Sequence, residues 1–240
     1  MFTSLTDSVA VVTGAGSGIG RALALALAPK VASLWLVGRR LDMLDSAARS
    51  ARDLGADAKS YSVDLAIDED VRRLARAISQ SGGVDVLVHC AGVTSLGPVS
   101  SHPVDTFDWQ YRINLRAPFL LTQSLLPSLQ ARQGQIVFVN SSTGLSARAN
   151  VAQYAATKHG LKALADSLRQ EVNADGVRVL TVYPGRTATP HQEIVCQHEG
   201  RPYIPEHLMQ PEDLAAAVVS ALCLPRTAEI TDIQIRPMRK

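Results

Sequence analysis

Val9-Ala-Val-Val-Thr-Gly-Ala-Gly-Ser-Gly-Ile-Gly20 is an apolar run that breaks on glycines and leads straight into a helical pattern. A strand that turns on glycines into a helix brings backbone N–H groups and the positive helix end to one point, which suits a pyrophosphate. The spacing is Gly14-x-x-x-Gly18-x-Gly20, not the common G-x-G-x-x-G. Gly14 is expected to make the tight turn, with Gly18 and Gly20 letting backbone and helix pack closely. Gly14, Ser17, Gly18, Ile19 and Gly20 are therefore candidate dinucleotide contacts.

Outward from that turn the same alternation repeats. Candidate strands are Val9–Thr13, Ser33–Val37, Lys59–Ser62, Val84–Val88, Gln135–Asn140, Val177–Val182 and Ile230–Ile235, most of them apolar. Helical patterns lie between them near Ile19–Ala28, Leu41–Leu54, Asp68–Ser79, Val104–Gln130, Ala152–Ala174 and Pro211–Leu222. Apolar strands alternating with helices read as a parallel sheet covered on both faces. The expected fold is α/β: one Rossmann-type doubly wound domain over residues 1–240, with a seven-stranded parallel sheet. Residues 187–210, with Pro190, Pro202, Pro205 and three histidines, break the alternation and read as a long irregular segment.

Composition sets the bounds. A chain of 240 residues, 46% hydrophobic and 19% charged, is ordinary for a globular enzyme. A formal charge of +2 gives no reason to expect a nucleic acid or an anionic membrane as partner, and no stretch approaches the roughly 18 apolar residues of a membrane span. No basic-then-apolar leader pattern precedes Asp7. Cys90, Cys196 and Cys223 are odd in number and scattered, which suggests reduced thiols in the cytoplasm and offers no metal site.

The chemistry is read from Tyr154-Ala-Ala-Thr-Lys158. Residues four apart share one helix face. A free phenol titrates near ~10, and a cation held close lowers that value toward the range useful for proton transfer to a carbonyl oxygen. With a place for a dinucleotide upstream, the pair reads as hydride chemistry. After the second strand, where NAD binders generally place an acid, stand Gly38, Arg39 and Arg40. A carboxylate repels a 2′-phosphate, whereas a guanidinium binds it in a bidentate geometry, so the expectation is NADP(H) rather than NAD, with Arg39 the leading contact and Ser17 a possible hydroxyl.

Thr13 with the glycine spacing and the downstream Tyr-x-x-x-Lys resemble the short-chain dehydrogenase/reductase family. The likeness extends further. Ser141 lies thirteen residues before Tyr154, Gly144 lies three after Ser141 and selects it over Ser142, and Pro184-Gly185 follows the sixth strand. The likeness covers nearly the whole chain. It implies a reacting set of Asn114, Ser141, Tyr154 and Lys158. In that set Tyr154 exchanges a proton with the substrate oxygen and Ser141 hydrogen-bonds the same oxygen. Lys158 lowers the tyrosine pKa and bonds the nicotinamide ribose, while Asn114 kinks its helix and holds a water linking Lys158 to solvent. It further implies Asp64 and Leu65 at the adenine, Ala91 and Gly92 near the ribose, and Pro184, Gly185, Thr189 and, more weakly, Thr187 at the carboxamide. His89-Cys90 replaces two asparagines usual in the family, and His89 reads as structural.

The resemblance implies an oxidoreductase acting on a small-molecule carbonyl or alcohol. Its rival is a catalytically silent dinucleotide-binding sensor or subunit, and retention of all four reacting residues favours the enzyme. A nucleotide-sugar epimerase is disfavoured, because about 55 residues after Gly185 are too few for its substrate domain. Specificity is expected in Val93–Val99, Thr143, Val151, Gln153 and a lid over 187–210. Arg186, His191, His198 and Arg201 there suit either an anionic substrate or a solvated loop. Apolar residues on more than one face of the helices holding Phe119, Leu161 and Leu168 point, with the family, to a homo-oligomer, a tetramer before a dimer.

Overall fold

Among residues 4–238, which the computed structural model describes, seven strands form one sheet, every neighbouring pair parallel. They are β1 (Val9–Thr13), β2 (Ser33–Gly38), β3 (Asp57–Ser62), β4 (Val86–His89), β5 (Gln135–Val139), β6 (Arg178–Pro184) and β7 (Asp232–Ile235). Their order across the sheet is β3-β2-β1-β4-β5-β6-β7. Side chains alternate with period two, so both faces must be apolar if both are covered. Ala10, Val12, Leu34, Leu36, Val86 and Val88 fill one core, and Val11, Trp35, Val37, Leu87, Ile136 and Phe138 fill the other. The edge strands β3 and β7 depart from the expected apolar run because each is paired on one side and half-exposed.

Helices α1 (Gly18–Leu27), α2 (Leu41–Asp53) and α8 (Pro211–Leu222) cover the first face, with α1 packed on α8. Helices α3 (Asp68–Gln80), α5 (Ala117–Ala131) and α6 (Ala152–Val172) cover the second. No helix among the described residues is long and apolar enough to cross a membrane.

Two sequence expectations change. The helix expected over Val104–Gln130 is α4 (Val104–Tyr111) and α5 joined by a π-helical turn, Arg112–Arg116, which contains Asn114. Residues 187–210 are not irregular throughout, since α7 (Pro190–His198) forms within them. The signal for α7 was local: Thr189 takes the N-cap position, accepting a hydrogen bond from Gln192 N, and Pro190 follows at the first helical position.

Leu161 and Leu168, on a helix expected to take part in subunit contact, are core residues, 2% and 5% exposed, in the same cluster as Leu121 and Leu125. The large apolar side chains left open on α4 and α5 are Val104, Phe107, Tyr111 and Phe119, at 71%, 38%, 41% and 49% exposure.

Candidate active site

The strand order reverses between β1 and β4, and at that point an open parallel sheet presents a crevice beyond its carboxyl ends. Here a cleft of about 640 Å³ opens. Its floor is a braced junction. Thr13 Oγ1 accepts from Cys90 N at 3.0 Å and Ala91 N at 3.1 Å and donates to Val88 O at 3.3 Å, tying the glycine-rich turn to the end of β4. Sequence reasoning singled out Thr13 only as the residue before the glycines, because its partners lie 77 and 78 residues away.

Glycine is required on steric grounds in this turn. A Cβ at Gly20 would stand 2.2 Å from Gly14 O, and Gly14, at φ 70°, lies so near Ala91 that its own Cβ would come within 2.9 Å of backbone atoms. No side-chain rotation relieves a backbone overlap. Gly14, Ser17, Gly18, Ile19 and Gly20 all line the cleft, as do Arg39, Arg40, Asp64, Leu65, Ala91 and Gly92. The guanidiniums of Arg39 and Arg40 are exposed and form no ion pair among the described residues. One carboxylate oxygen of Asp64 accepts from Ala66 N at 2.9 Å, holding the turn after β3.

At the other end of the cleft stand Tyr154 and Lys158, one turn apart on α6. Ser141 hydrogen-bonds the Tyr154 side chain and caps the short turn Ser142–Gly144, accepting from Thr143 N at 3.1 Å. Lys158 Nζ lies 5.8 Å from the Tyr154 ring centroid and donates to Val139 O at 3.1 Å. Burial pushes the Lys158 amine down to about 8. The expected lowering of the tyrosine by Lys158 is reversed. Desolvation pushes the Tyr154 phenol up to about 12, and the opposing influence is the hydrogen bond to Ser141. A sequence shows the charge four residues away but not the burial that outweighs it.

Asn114 lies behind this group. Its Nδ2 donates to Val93 O at 2.9 Å and Thr157 Oγ1 at 3.1 Å, while Oδ1 accepts from Val93 N at 2.9 Å. The side chain is a clamp on the loop after β4, and both of its amide hydrogens are spoken for. Asn140, absent from the sequence expectations, joins the site: it lines the cleft, is 4% exposed, and donates from Nδ2 to Lys158 O at 3.0 Å. Its place immediately before Ser141 was the available signal.

His89 is buried, pairs with Thr122 Oγ1 at 2.8 Å and stacks on Phe138, and burial pushes its pKa down to about 3. It is structural, as expected. Cys90 lines the cleft with its thiol pushed up to about 12 by burial.

Pro184, Gly185, Thr187 and Thr189 complete the cleft wall. Both threonine hydroxyls have local partners: Thr187 Oγ1 donates to Gly185 O at 3.1 Å, and Thr189 Oγ1 to Thr187 O at 3.3 Å while capping α7. The start of α7 also abuts the glycine-rich turn, since a Cβ on Gly18 would meet Thr189 Cγ2 at 3.0 Å. The far end of α7 is latched by Glu199, whose carboxylate pairs with both Arg148 and Arg186. Arg186 is thus engaged within the chain, while His198 and Arg201 are exposed.

A family model described as "short chain dehydrogenase" matches residues 8–200. A protein of Staphylococcus epidermidis described as an uncharacterized oxidoreductase is 31% identical over 234 residues, 97% of this chain and 98% of that one. An alcohol dehydrogenase from the archaeon Thermococcus sibiricus, solved with 5-hydroxy-NADP, superposes with a TM-score of 0.87 at 26% identity, covering 97% of each chain. L-Sorbose reductase from Gluconobacter frateurii, solved with NADPH and L-sorbose, gives a TM-score of 0.87 at 28% identity over 98% of this chain and 97% of that one.

Proposed function

Since this chain belongs to the short chain dehydrogenase family of oxidoreductases, we propose that it interconverts a ketone or aldehyde and the corresponding alcohol with NADP(H), Tyr154 serving as general acid and base. The observation that carries this reading is the meeting of Tyr154 and Lys158 in one cleft, with Ser141 beside the phenol and two unpaired arginines at the cleft's opposite end. The cleft fits a dinucleotide: its glycine-rich turn is a cradle that a Cβ at Gly20 would fill. Gly14–Gly20 would hold the pyrophosphate, Arg39 and Arg40 the 2′-phosphate, Asp64 and Leu65 the adenine, and Ala91 and Gly92 the ribose. Tyr154 and Lys158 would meet the nicotinamide ribose, and Pro184, Gly185 and the Thr187–Thr189 backbone the carboxamide.

When bound, the nicotinamide supplies or accepts the hydride. The chain supplies the proton. A phenol pushed up to about 12 is protonated at neutral pH, so in reduction Tyr154 carries the proton that a developing alkoxide takes. Ser141 donates to the same oxygen and steadies its charge. Lys158 brings positive charge below about pH 8 and loses it above. Asn114 acts indirectly, by fixing Val93 and the loop that forms the carbonyl's side of the cleft. Residues 187–210 act as the lid, with α7 as its rigid part. The substrate is a small molecule, and NADPH consumption across a panel of ketones and aldehydes tests the assignment; no turnover with any of them would overturn it.

Cofactor preference is checked separately. NADPH should bind more tightly than NADH, and Arg39→Asp should reverse the order. Loss of charged hydrogen bonds to a phosphate predicts a swing of roughly 10- to 100-fold. Equal or tighter binding of NADH by the unaltered protein, measured by fluorescence titration, contradicts this.

Assembly follows from the open apolar side chains on α4 and α5. Phe107, Tyr111 and Phe119 are covered in a homo-oligomer, a tetramer before a dimer, by the same surface of a second copy. Phe119→Glu should lower the mass seen by light scattering, whereas a charge at Leu161 should unfold the chain, as that residue is core. A monomeric parent protein at micromolar concentration rules this out.

A further inference from the structure

We propose that His191 selects a substrate bearing a hydroxyl on the carbon next to its carbonyl, the imidazole exchanging hydrogen bonds with that hydroxyl. The inference rests on the reading of Tyr154 as the group that meets the carbonyl oxygen, and adds to it the chemical class of the substrate.

Position comes first. His191 is the second residue of α7, and the Thr189 cap and the latch at Glu199 hold that helix at both ends. Its ring lines the same cleft as Tyr154, with centroids 6.1 Å apart and planes tilted by 45°. Both rings therefore face one ligand, and a small carbonyl compound held at the phenol lies beside the imidazole.

Charge comes next. An anionic substrate would need a cation free to meet it; Lys158 is turned to Val139 O, and the lid offers none beside Tyr154. Arg186 and Arg148 share Glu199, and His198 and Arg201 are exposed. His191 itself is neutral, its pKa pushed down to about 4 by burial and then by the charge of Lys158. A neutral imidazole carries one donor and one acceptor.

Unmet hydrogen bonding completes the case. His89 and His159 both have partners, Thr122 Oγ1 and Ala155 O. Among the described residues neither nitrogen of His191 has one. A largely desolvated imidazole facing a ligand of methylenes alone would stay unpaired, at a cost to binding. A carboxylate offers only acceptors. A hydroxyl offers a donor and an acceptor together and matches the neutral ring in either tautomer.

The test uses matched pairs differing by one hydroxyl: 2-hydroxycyclohexanone against cyclohexanone as NADPH-linked substrates, and trans-cyclohexane-1,2-diol against cyclohexanol as ligands of the NADP⁺-loaded protein. The unaltered enzyme should favour the hydroxylated member of each pair by roughly tenfold. His191→Phe should abolish the preference, lowering kcat/KM for 2-hydroxycyclohexanone by roughly tenfold more than for cyclohexanone, and His191→Asn, which keeps a donor and an acceptor, should restore part of it. No preference in the unaltered enzyme overturns the proposal. A parallel fall for both ketones in His191→Phe does so too, since it marks a residue that only shapes the wall or serves proton transfer. If no carbonyl is turned over, the oxidoreductase reading fails by itself, and the diol and alcohol affinities decide the role of His191: a diol preference lost in His191→Phe sustains it, and its absence ends it.

Discussion

Tyr154→Phe is expected to lower NADPH-linked carbonyl reduction by roughly 10²- to 10⁴-fold, the usual worth of a positioned general acid. Dinucleotide affinity should stay nearly intact. The substitution removes one hydroxyl, and with it the hydrogen bond to Ser141, but leaves the ring that packs beside Lys158 and His191. Because the phenol is held protonated, what is lost is a proton source rather than a base, so the defect should be larger in reduction at neutral pH than in alcohol oxidation at high pH. Single-turnover kinetics with NADPH separates this from slow product release. Normal turnover by Tyr154→Phe with any good substrate would remove Tyr154 from the chemistry.

Gly20→Ala is the second large effect. The added methyl meets Gly14 O at 2.2 Å and Gly14 C at 2.7 Å, and Gly14 in turn has Ala91 backbone behind it. The overlap therefore passes from α1 through the turn to the end of β4, with no flexible side chain to absorb it. Forced overpacking of this sort costs typically 1–3 kcal/mol, so dinucleotide binding should weaken roughly 10- to 100-fold and the melting temperature should fall. A fluorescence titration and a thermal melt on the same sample read both. Unchanged affinity would show that the turn can open without loss and that its close packing is not what binds the pyrophosphate.

What the sequence discloses here is short-range. The Gly14–Gly20 spacing and Tyr154 with Lys158 are legible because each is set by a single turn of chain. The sheet is legible because strands covered on both faces, such as Val86–His89, leave no polar alternation. The bracing lies out of reach. Thr13 to Cys90, Asn114 to Val93, and Glu199 to Arg148 and Arg186 join residues that only the folded chain brings together. Leu161 and Leu168 show the same limit from the apolar side: periodicity identifies a face that must be covered but not whether the cover is a neighbouring helix or another subunit. α7 was missed for a different reason, its capping threonine and proline being outweighed by the prolines that follow.

The π-helical turn at Arg112–Arg116 has a further consequence for what the chain can lose. Such a turn takes up one residue more than an unbroken α-helix, and Pro118, which has no N–H to return to residue 114, interrupts the α-helical ladder at the same place. Because the turn absorbs that residue, deleting one of the five would leave the two helices near their present orientation but take Asn114 out of its place against Val93 and Thr157. The irregular turn therefore serves the clamp on the loop after β4 rather than the helix that contains it.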